Sequence, residues 1–195
     1  LSDLASDNGV SLIAYKDESH RFSLKSFKAL GGAYAVANLL IKKLKEQGIE
    51  AKSSDLIAGT YSEITSKITV CCATDGNHGR SVAWGAQKFG CNCEIYIHRT
   101  VSVAREEAIA KYGAIVNRIN GNYDESVHIA AEVSESNGYY VVSDTSYEGY
   151  TDIPKDVMQG YTVMVDEAIK QMEEVPTHVF LQGGVGGFPA AVVSF

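Results

Sequence analysis

The sequence has no hydrophobic run long enough to cross a membrane. Its longest apolar runs, such as residues 70–73 and 179–181, fall far short of the ~20 residues that span a bilayer. It also lacks any basic run, and its 17 Lys and Arg are outnumbered by 24 Asp and Glu, which gives a formal charge of −7. Proteins that bind nucleic acid usually carry an excess of positive charge on the binding surface. We therefore expect neither nucleic acid nor a membrane as a partner.

Cysteines are few, and their spacing fits neither disulfides nor zinc. Cys71 and Cys72 are adjacent, and Cys91 and Cys93 are separated by one residue, both poor geometries for an internal disulfide. These cysteines and His98 do not form a four-ligand zinc pattern, so we expect no metal site. The first eight residues have neither the basic nor the apolar region of a signal peptide. The sequence therefore predicts a reducing, cytoplasmic location.

The chain does contain a regular alternation of β-branched runs and amphipathic helical stretches, which is typical of an α/β fold. Strands are predicted over residues 10–16, 68–73, 94–98, 114–119, 139–142 and 178–181. Helices are predicted over residues 26–47, 54–65, 78–89, 103–112, 123–136 and 155–173. Each helix is long enough for a right-handed crossover between parallel strands. We therefore expect parallel strands with flanking helices.

A polar interruption over residues 143–154, rich in Asp, Thr, Ser and Gly with one Pro, indicates a crossing between domains. We expect a small α/β domain over residues 54–150, and a larger domain built from residues 1–53 and 151–195. At roughly 150 residues per domain, two complete domains barely fit in the 195 residues.

Three polar loops follow predicted strands, at the sheet edge where open α/β sheets bind ligands. The last of them consists of Gly183, Gly184, Val185, Gly186 and Gly187. Closely spaced backbone N–H groups at a helix start suit a phosphate, although a tight strand-to-helix turn explains the same glycines. The loop matches neither the Rossmann nor the Walker spacing. Another of the three loops contains Asp144.

The remaining loop opens a predicted helix, so its backbone N–H groups can also face an anion such as a carboxylate. It contains Thr74, Asp75, Gly76, Asn77 and His78. A negative side chain beside an anion site costs electrostatic energy, so the simplest interpretation of Asp75 alone is a helix N-cap.

Lys28 follows Ser26 and Phe27 at the start of the long predicted helix. A positive charge there opposes the helix dipole. Partial burial would give this lysine a reason to lose its proton and act as a nucleophilic amine. Taken alone, Lys28 is more simply interpreted as a solvated surface charge.

Taken together and in this order, these features resemble the cofactor site of pyridoxal-phosphate enzymes of fold type II, the tryptophan synthase β-like fold. The resemblance implies that Lys28 is the lysine that bonds pyridoxal 5'-phosphate, with Phe27 beside it. It implies that Asn77 holds the pyridine ring and that residues 183–187 hold the phosphate. In such enzymes the ring is the electron sink, and the protein orients groups and moves protons.

Within that group, the sequence resembles the diaminopropionate ammonia-lyase family over nearly its whole length. The matching stretches are residues 16–18, 21–22, 27–34, 74–80, 82–84, 122–124, 144–145, 148–150, 158–161 and 176–179. The resemblance implies α,β-elimination of 2,3-diaminopropionate, an amino acid, to pyruvate and ammonia, as part of amino acid catabolism. It also implies a homodimer and a chain that continues well past residue 195, so that the larger domain is expected to be incomplete and truncated at the C-terminus.

The same resemblance assigns roles to residues of the polar loops. Asp75 and Asp144 are the bases for the two substrate enantiomers, Asp75 for the D form and Asp144 for the L form. The substrate-binding residues are Thr74, Asp75, Gly76, His78 and Tyr123.

Two alternatives stay open. A serine or threonine dehydratase shares the cofactor and the loops, although such relatives usually carry Ser or Thr at the position of Asp75. A non-catalytic module would instead hold a phosphate or nucleotide at residues 183–187, and Lys28 would then be a plain surface charge.

Overall fold

The computed structural model describes all 195 residues and contains one parallel sheet. Its strands are β1 (Thr69–Ala73), β2 (Asn92–His98), β3 (Ile115–Ile119) and β4 (Tyr140–Val141), in the spatial order β3-β2-β1-β4. All three strand pairings are parallel. The chain moves from β1 outward through β2 to β3 and then returns to place β4 on the other side of β1. This reversal creates a crevice between the carboxyl ends of β1 and β4.

The chain also forms nine α-helices. They are α1 (Ser2–Asp7), α2 (Lys28–Lys45), α3 (Ser53–Ile57), α4 (Ser62–Thr65), α5 (Asn77–Phe89), α6 (Val103–Ala110), α7 (Tyr123–Asn137), α8 (Asp152–Gln171) and α9 (Gly187–Ser194). Successive β1 side chains point to opposite faces: Val70 and Cys72 join the main core, while Cys71 packs with Ala130 of α7. Helix α5 packs against β1 and β2, α2 packs on α5, and α8 packs on α2.

Helices α2 and α8 approach each other closely at the start of α2. A Cβ added at Gly160 of α8 would lie 2.8 Å from the Gly31 Cα of α2, closer than packed side chains tolerate. Both residues are fully or almost fully buried. The contact therefore ties α8 to the first turn of α2, three residues beyond Lys28.

The predicted elements agree with the structure in the middle of the chain and are wrong at both ends. Residues 10–16 and 178–181 form no strand, because the backbone of neither segment hydrogen-bonds to a neighbouring strand. The single helix predicted over residues 54–65 is split into α3 and α4. Gly59, with φ +70°, adopts the left-handed conformation that commonly ends a helix.

The four cysteines are free thiols. Burial raises the pKa of Cys71 and of Cys91 to about 12, and burial also raises the pKa of Cys72 and Cys93 well above the ordinary value. A thiol with so high a pKa is neither a thiolate nucleophile nor a ready metal ligand at neutral pH. These residues behave as small buried hydrophobic side chains.

The surface of the C-terminal segment carries large apolar side chains. Val175, Phe180 and Val193 are each more than 80% exposed, so no neighbouring residue of the chain covers these side chains.

No helix of the structure combines the length and the apolar composition needed to cross a membrane.

Candidate active site

The polar loops after β1 and β4 meet at the crevice where the strand order reverses. In open α/β sheets this is the position at which ligands bind. Helix α2 begins beside this crevice. The Ser81 hydroxyl of α5 donates a 2.7 Å hydrogen bond to the carbonyl oxygen of Lys28, which holds the start of α2 against α5. The backbone N–H of Lys28 in turn donates to the Ser26 hydroxyl at 3.2 Å. The first turn of α2 is therefore fixed beside the sheet.

Lys28 forms an ion pair with Asp144, which lies 116 residues further along the chain. Its Nζ donates to Asp144 Oδ2, and both side chains are largely shielded from solvent. The same Nζ lies 5.7 Å from the centre of the Phe27 ring and 5.7 Å from that of Tyr161. The lysine is thus not a plain surface charge, since a carboxylate and two aromatic rings surround its amine.

The Asp144 carboxyl is poised to be ionised. Burial raises the pKa of Asp144, but His78 and the Lys28 ammonium together lower it by more, so that the pKa lies below its ordinary value. An ionised carboxylate can accept a proton at neutral pH. Asp144 therefore has the charge state of a base.

His78 connects the loops after β1 and β4. Its Nε2 lies 2.7 Å from the carbonyl oxygen of Val142, and since a carbonyl oxygen can only accept, Nε2 carries a proton and donates. The other ring nitrogen, Nδ1, lies 3.7 Å from Asp144 Oδ2. The buried ring therefore fixes the loop after β4 relative to α5.

Asp75 is not a helix N-cap, contrary to the simplest interpretation of the sequence. Gly76 occupies the N-cap position of α5, and the Thr74 hydroxyl accepts 3.0 Å hydrogen bonds from the N–H groups of Gly76 and Gly79. Thr74 thus performs the capping from two residues earlier. The Asp75 side chain is exposed, and its Oδ1 lies 2.7 Å from His98 Nε2.

Tyr123, the first residue of α7, lies in the field of both aspartates. Burial raises the pKa of Tyr123 to about 12, and the negative charges of Asp144 and Asp75 add to the increase. The phenol therefore stays protonated and can donate a hydrogen bond. This places Tyr123, predicted to bind substrate, in the neighbourhood of the two predicted bases.

Buried polar atoms without a hydrogen-bond partner concentrate around Asp144. The chain has four such side-chain atoms: His78 Nδ1, Arg80 Nε, Thr145 Oγ1 and Tyr161 OH. Three of them belong to residues beside Asp144 or Lys28. Because an unpaired buried polar atom is costly, this concentration indicates a site built for a polar ligand.

The glycine-rich loop ends beside the ion pair. Residues 183–186 are exposed, and α9 begins at Gly187 with Gly186 as its N-cap. A Cβ at Gly187 would lie 3.4 Å from the Asp144 carbonyl oxygen, and the ring of the next residue, Phe188, lies 4.6 Å from that of Phe27. The start of α9 therefore lies against Asp144 and against Phe27, the residue before Lys28.

Sequence reasoning missed several residues of this site. Tyr161 was overlooked although it lies in one of the matching stretches, residues 158–161. Thr145 likewise lies in a matching stretch, residues 144–145, whereas Ser81 lies outside all of them, because its role depends on how α5 packs on α2. Asn77, predicted to hold a pyridine ring, is exposed in the first turn of α5.

A charged network holds the segment that leads into Lys28. Phe22, Ser23 and Lys25 all have positive φ angles, of 45°, 59° and 55°, which is unfavourable for residues other than glycine. Arg21 secures this segment through a 2.8 Å contact to Glu18 and a 2.9 Å contact to Glu167 of α8. The network offsets the local strain just before the catalytic lysine candidate.

This network predicts a pH dependence of stability. Hydrogen bonds from Arg21 and Lys16 lower the pKa of Glu167 from 4.5 to about 2. A carboxyl whose pKa is lower in the folded state stabilises the fold above its unfolded pKa and loses that contribution as pH falls towards the folded pKa. Glu167→Gln should therefore reduce the free energy of unfolding at pH 7, and the deficit should shrink between pH 4.5 and 2.

Urea unfolding of both proteins across that pH range measures the deficit. Glu174→Gln, at an exposed position with no ion pair, is the matched control and should change nothing. A deficit that stays constant down to pH 2 would contradict the assigned role of Glu167.

Known proteins resemble this chain over its whole length. The family described as pyridoxal-phosphate dependent enzyme matches residues 1–195. Diaminopropionate ammonia-lyase of Escherichia coli (strain K12) is 44% identical over 198 residues, covering 100% of this chain and 49% of that protein. The chain spans about half the length of the curated relatives it matches.

Solved structures show the same similarity. The apo crystal structure of Escherichia coli diaminopropionate ammonia-lyase superposes with a TM-score of 0.91 at 42% identity, covering 100% of this chain and 53% of that one. The complex of the Escherichia coli enzyme with an aminoacrylate-PLP azomethine reaction intermediate gives 0.87 at 42% identity, covering 100% and 49%. The predicted fold class is therefore confirmed.

Proposed function

Because this chain belongs to the pyridoxal-phosphate dependent enzyme family, we propose that it catalyses α,β-elimination of 2,3-diaminopropionate to pyruvate and ammonia. One observation carries the proposal: the Lys28 amine contacts the Asp144 carboxylate in a partly buried site. An amine able to bond the cofactor thus lies beside a base able to take a proton from a substrate bonded at the same place. The similarity to diaminopropionate ammonia-lyases supports the choice of substrate.

The residues present fit pyridoxal 5'-phosphate. Lys28 would supply the amine that bonds the cofactor aldehyde, and Phe27 and Tyr161 flank that amine. Residues 183–186 lead into α9 and Gly187 begins it; backbone N–H groups there would hold the phosphate, and Asn77 would contact the ring. When bound, the cofactor supplies an electron sink that makes the substrate Cα proton acidic.

The loop after β1 would hold the substrate carboxylate. Thr74 already uses the N–H groups of Gly76 and Gly79, which leaves the N–H groups of Asn77 and His78, in the first turn of α5, as donors to an anion. Tyr123 would donate from the side of α7. Thr74 and Gly76 therefore contribute by shaping the loop.

The two aspartates would serve the two substrate enantiomers. The Cα hydrogens of a D and an L substrate project to opposite sides of the same planar system, so each requires its own base. From the resemblance, we assign Asp144, which lies beside Lys28, to the L form. Asp75 is assigned to the D form, and its exposed carboxylate is held at the neighbouring loop.

The assembly and location of the enzyme are part of the same proposal. The four free cysteines support a reducing, cytoplasmic location, and the resemblance supports a homodimer. All four strands lie within residues 54–150, which supports a small domain with those bounds, although α2 shares the main hydrophobic core with α5.

A substrate comparison tests the proposal. The experiments on activity use this chain with any sequence that flanks it in the natural protein, loaded with pyridoxal 5'-phosphate. Pyruvate and ammonia should form faster from D- or L-2,3-diaminopropionate than from D- or L-serine. Pyruvate formation from serine that far outruns that from diaminopropionate would favour a dehydratase instead. A protein that binds the phosphorylated cofactor without bonding it and forms no product would support the non-catalytic module.

A further inference from the structure

A histidine outside the matching stretches holds the Asp75 carboxylate. His98 is the last residue of β2, the strand beside β1, and its Nε2 lies 2.7 Å from Asp75 Oδ1. The hydroxyl of Thr100, two residues later, lies 2.9 Å from the other ring nitrogen, Nδ1. The three side chains therefore form a chain of hydrogen bonds that ends on Asp75.

The chemistry of these groups determines the direction of the bond to Asp75. An ionised carboxylate can only accept, so His98 Nε2 carries a proton and donates. If Thr100 donates to a bare Nδ1, it keeps the proton of a neutral ring on Nε2; if it accepts from Nδ1–H, the ring is an imidazolium with a proton on both nitrogens. Second partners of this kind set the tautomer and the orientation of an imidazole ring.

Burial makes His98 the anchor and Asp75 the group that it holds. The His98 side chain is 16% exposed, whereas the Asp75 side chain is 67% exposed. The Tyr123 ring packs edge-on against His98, with ring centres 6.5 Å apart, and Arg105 donates to the Asp75 carbonyl oxygen at 3.3 Å. With Oδ1 engaged by His98, Oδ2 is left to accept a proton.

Asp144 has a different set of partners. Its carboxylate contacts Lys28 and His78, and neither His98 nor Thr100 contacts it. A change at His98 therefore reaches one predicted base and leaves the other with its partners intact.

We propose that His98, fixed by Thr100, is the positioning residue of Asp75 and so controls elimination from the D enantiomer alone. The inference rests on the proposed function, in which Asp75 serves D-2,3-diaminopropionate and Asp144 serves the L form. No proton passes through His98. Its effect is to hold the Asp75 carboxylate in one orientation.

Rates with the two enantiomers test the inference. His98→Leu should lower kcat for the D substrate by about 10- to 100-fold, the usual cost of losing a second-layer partner, while kcat for the L substrate stays within about twofold. KM should change less than kcat, because His98 does not touch the substrate. Thr100→Val should show the same selectivity with a smaller loss, and Thr100→Ser and His98→Gln, which keep a hydroxyl and an N–H donor, should restore part of the D rate.

The L rate reports folding within the same sample, and His128→Leu, at an exposed histidine of α7, is the matched control expected to change neither rate. Equal losses with both enantiomers, or an unchanged D rate in His98→Leu, would overturn the inference. If the unaltered protein eliminates from neither enantiomer, the proposed function fails, and a second measurement decides on His98.

That measurement is nitrogen NMR of the imidazole, which needs no activity. It should show His98 protonated at Nε2, with a signal that moves in Asp75→Asn and in Thr100→Val. A His98 signal that neither substitution changes would refute the pairing itself.

Discussion

Substitution of Lys28 is expected to abolish elimination. In Lys28→Ala the amine that bonds the cofactor is gone, so the rate of pyruvate formation should fall by ~10³-fold or more, as when a covalent catalyst is removed. The absorbance change that accompanies bonding of pyridoxal 5'-phosphate to the protein should disappear as well. Stopped assays of pyruvate and a titration with the cofactor measure the two effects.

Lys28→Ala also leaves Asp144 buried without its ion-pair partner, which costs stability. Lys28→Arg separates the two effects, because a guanidinium keeps the positive charge beside Asp144 but cannot replace the amine. It should fold normally and remain inactive. Lys42→Ala, at an exposed lysine near the other end of α2, is the control and should keep full activity. A covalent absorbance signal that survives in Lys28→Ala would refute the assignment.

Replacement of either predicted base by asparagine is expected to lower the rate of elimination from one substrate enantiomer and to leave the rate from the other largely unchanged. Asp75→Asn should depress elimination from the D substrate, and Asp144→Asn should depress elimination from the L substrate. Each loss should be about 10²- to 10⁴-fold, the range for removal of a general base. The amide keeps the size and much of the hydrogen bonding of the carboxylate but accepts no proton, so the effect isolates the proton transfer.

Parallel measurement of kcat for both enantiomers in both variants decides this prediction. Asp124→Asn, an exposed position in the first turn of α7, is the control for loss of a negative charge near the site. If either variant lost activity equally with both enantiomers, its aspartate would be a support for the cofactor or the loop and not a base for one face.

Local pattern was enough to predict much of the central fold. Six elements lie within two residues of their predicted bounds: strands β1, β2 and β3 and helices α5, α6 and α7. The sequence of each shows the spacing of apolar residues that is typical of its type of secondary structure. The alternation of strand and helix also required parallel pairing, which the sheet shows. The residue types of the loops, with their order, were sufficient to recognise the family.

The ends of the chain depended on partners that no local pattern reveals. Residues 10–16 and 178–181 have the composition of strands, yet a strand exists only where a neighbour accepts and donates its backbone hydrogen bonds. The start of α2 was instead shifted by a local hydrogen bond. Helix α2 begins at Lys28 instead of Ser26 because Ser26 hydrogen-bonds to the N–H of Lys28.

The sequence by itself determined the fold class, the order of the loops and the residue types that chemistry would need: an amine, two carboxylates and a run of glycines. Only the tertiary structure decided how they are paired. It joined Lys28 to Asp144 across 116 residues, gave Asp75 a partner in His98, and assigned to Thr74 the capping expected of Asp75. The physical reason is that charge, burial and hydrogen bonding act over a few ångströms in space, and residues brought that close by the return of β4 beside β1 are far apart in the chain.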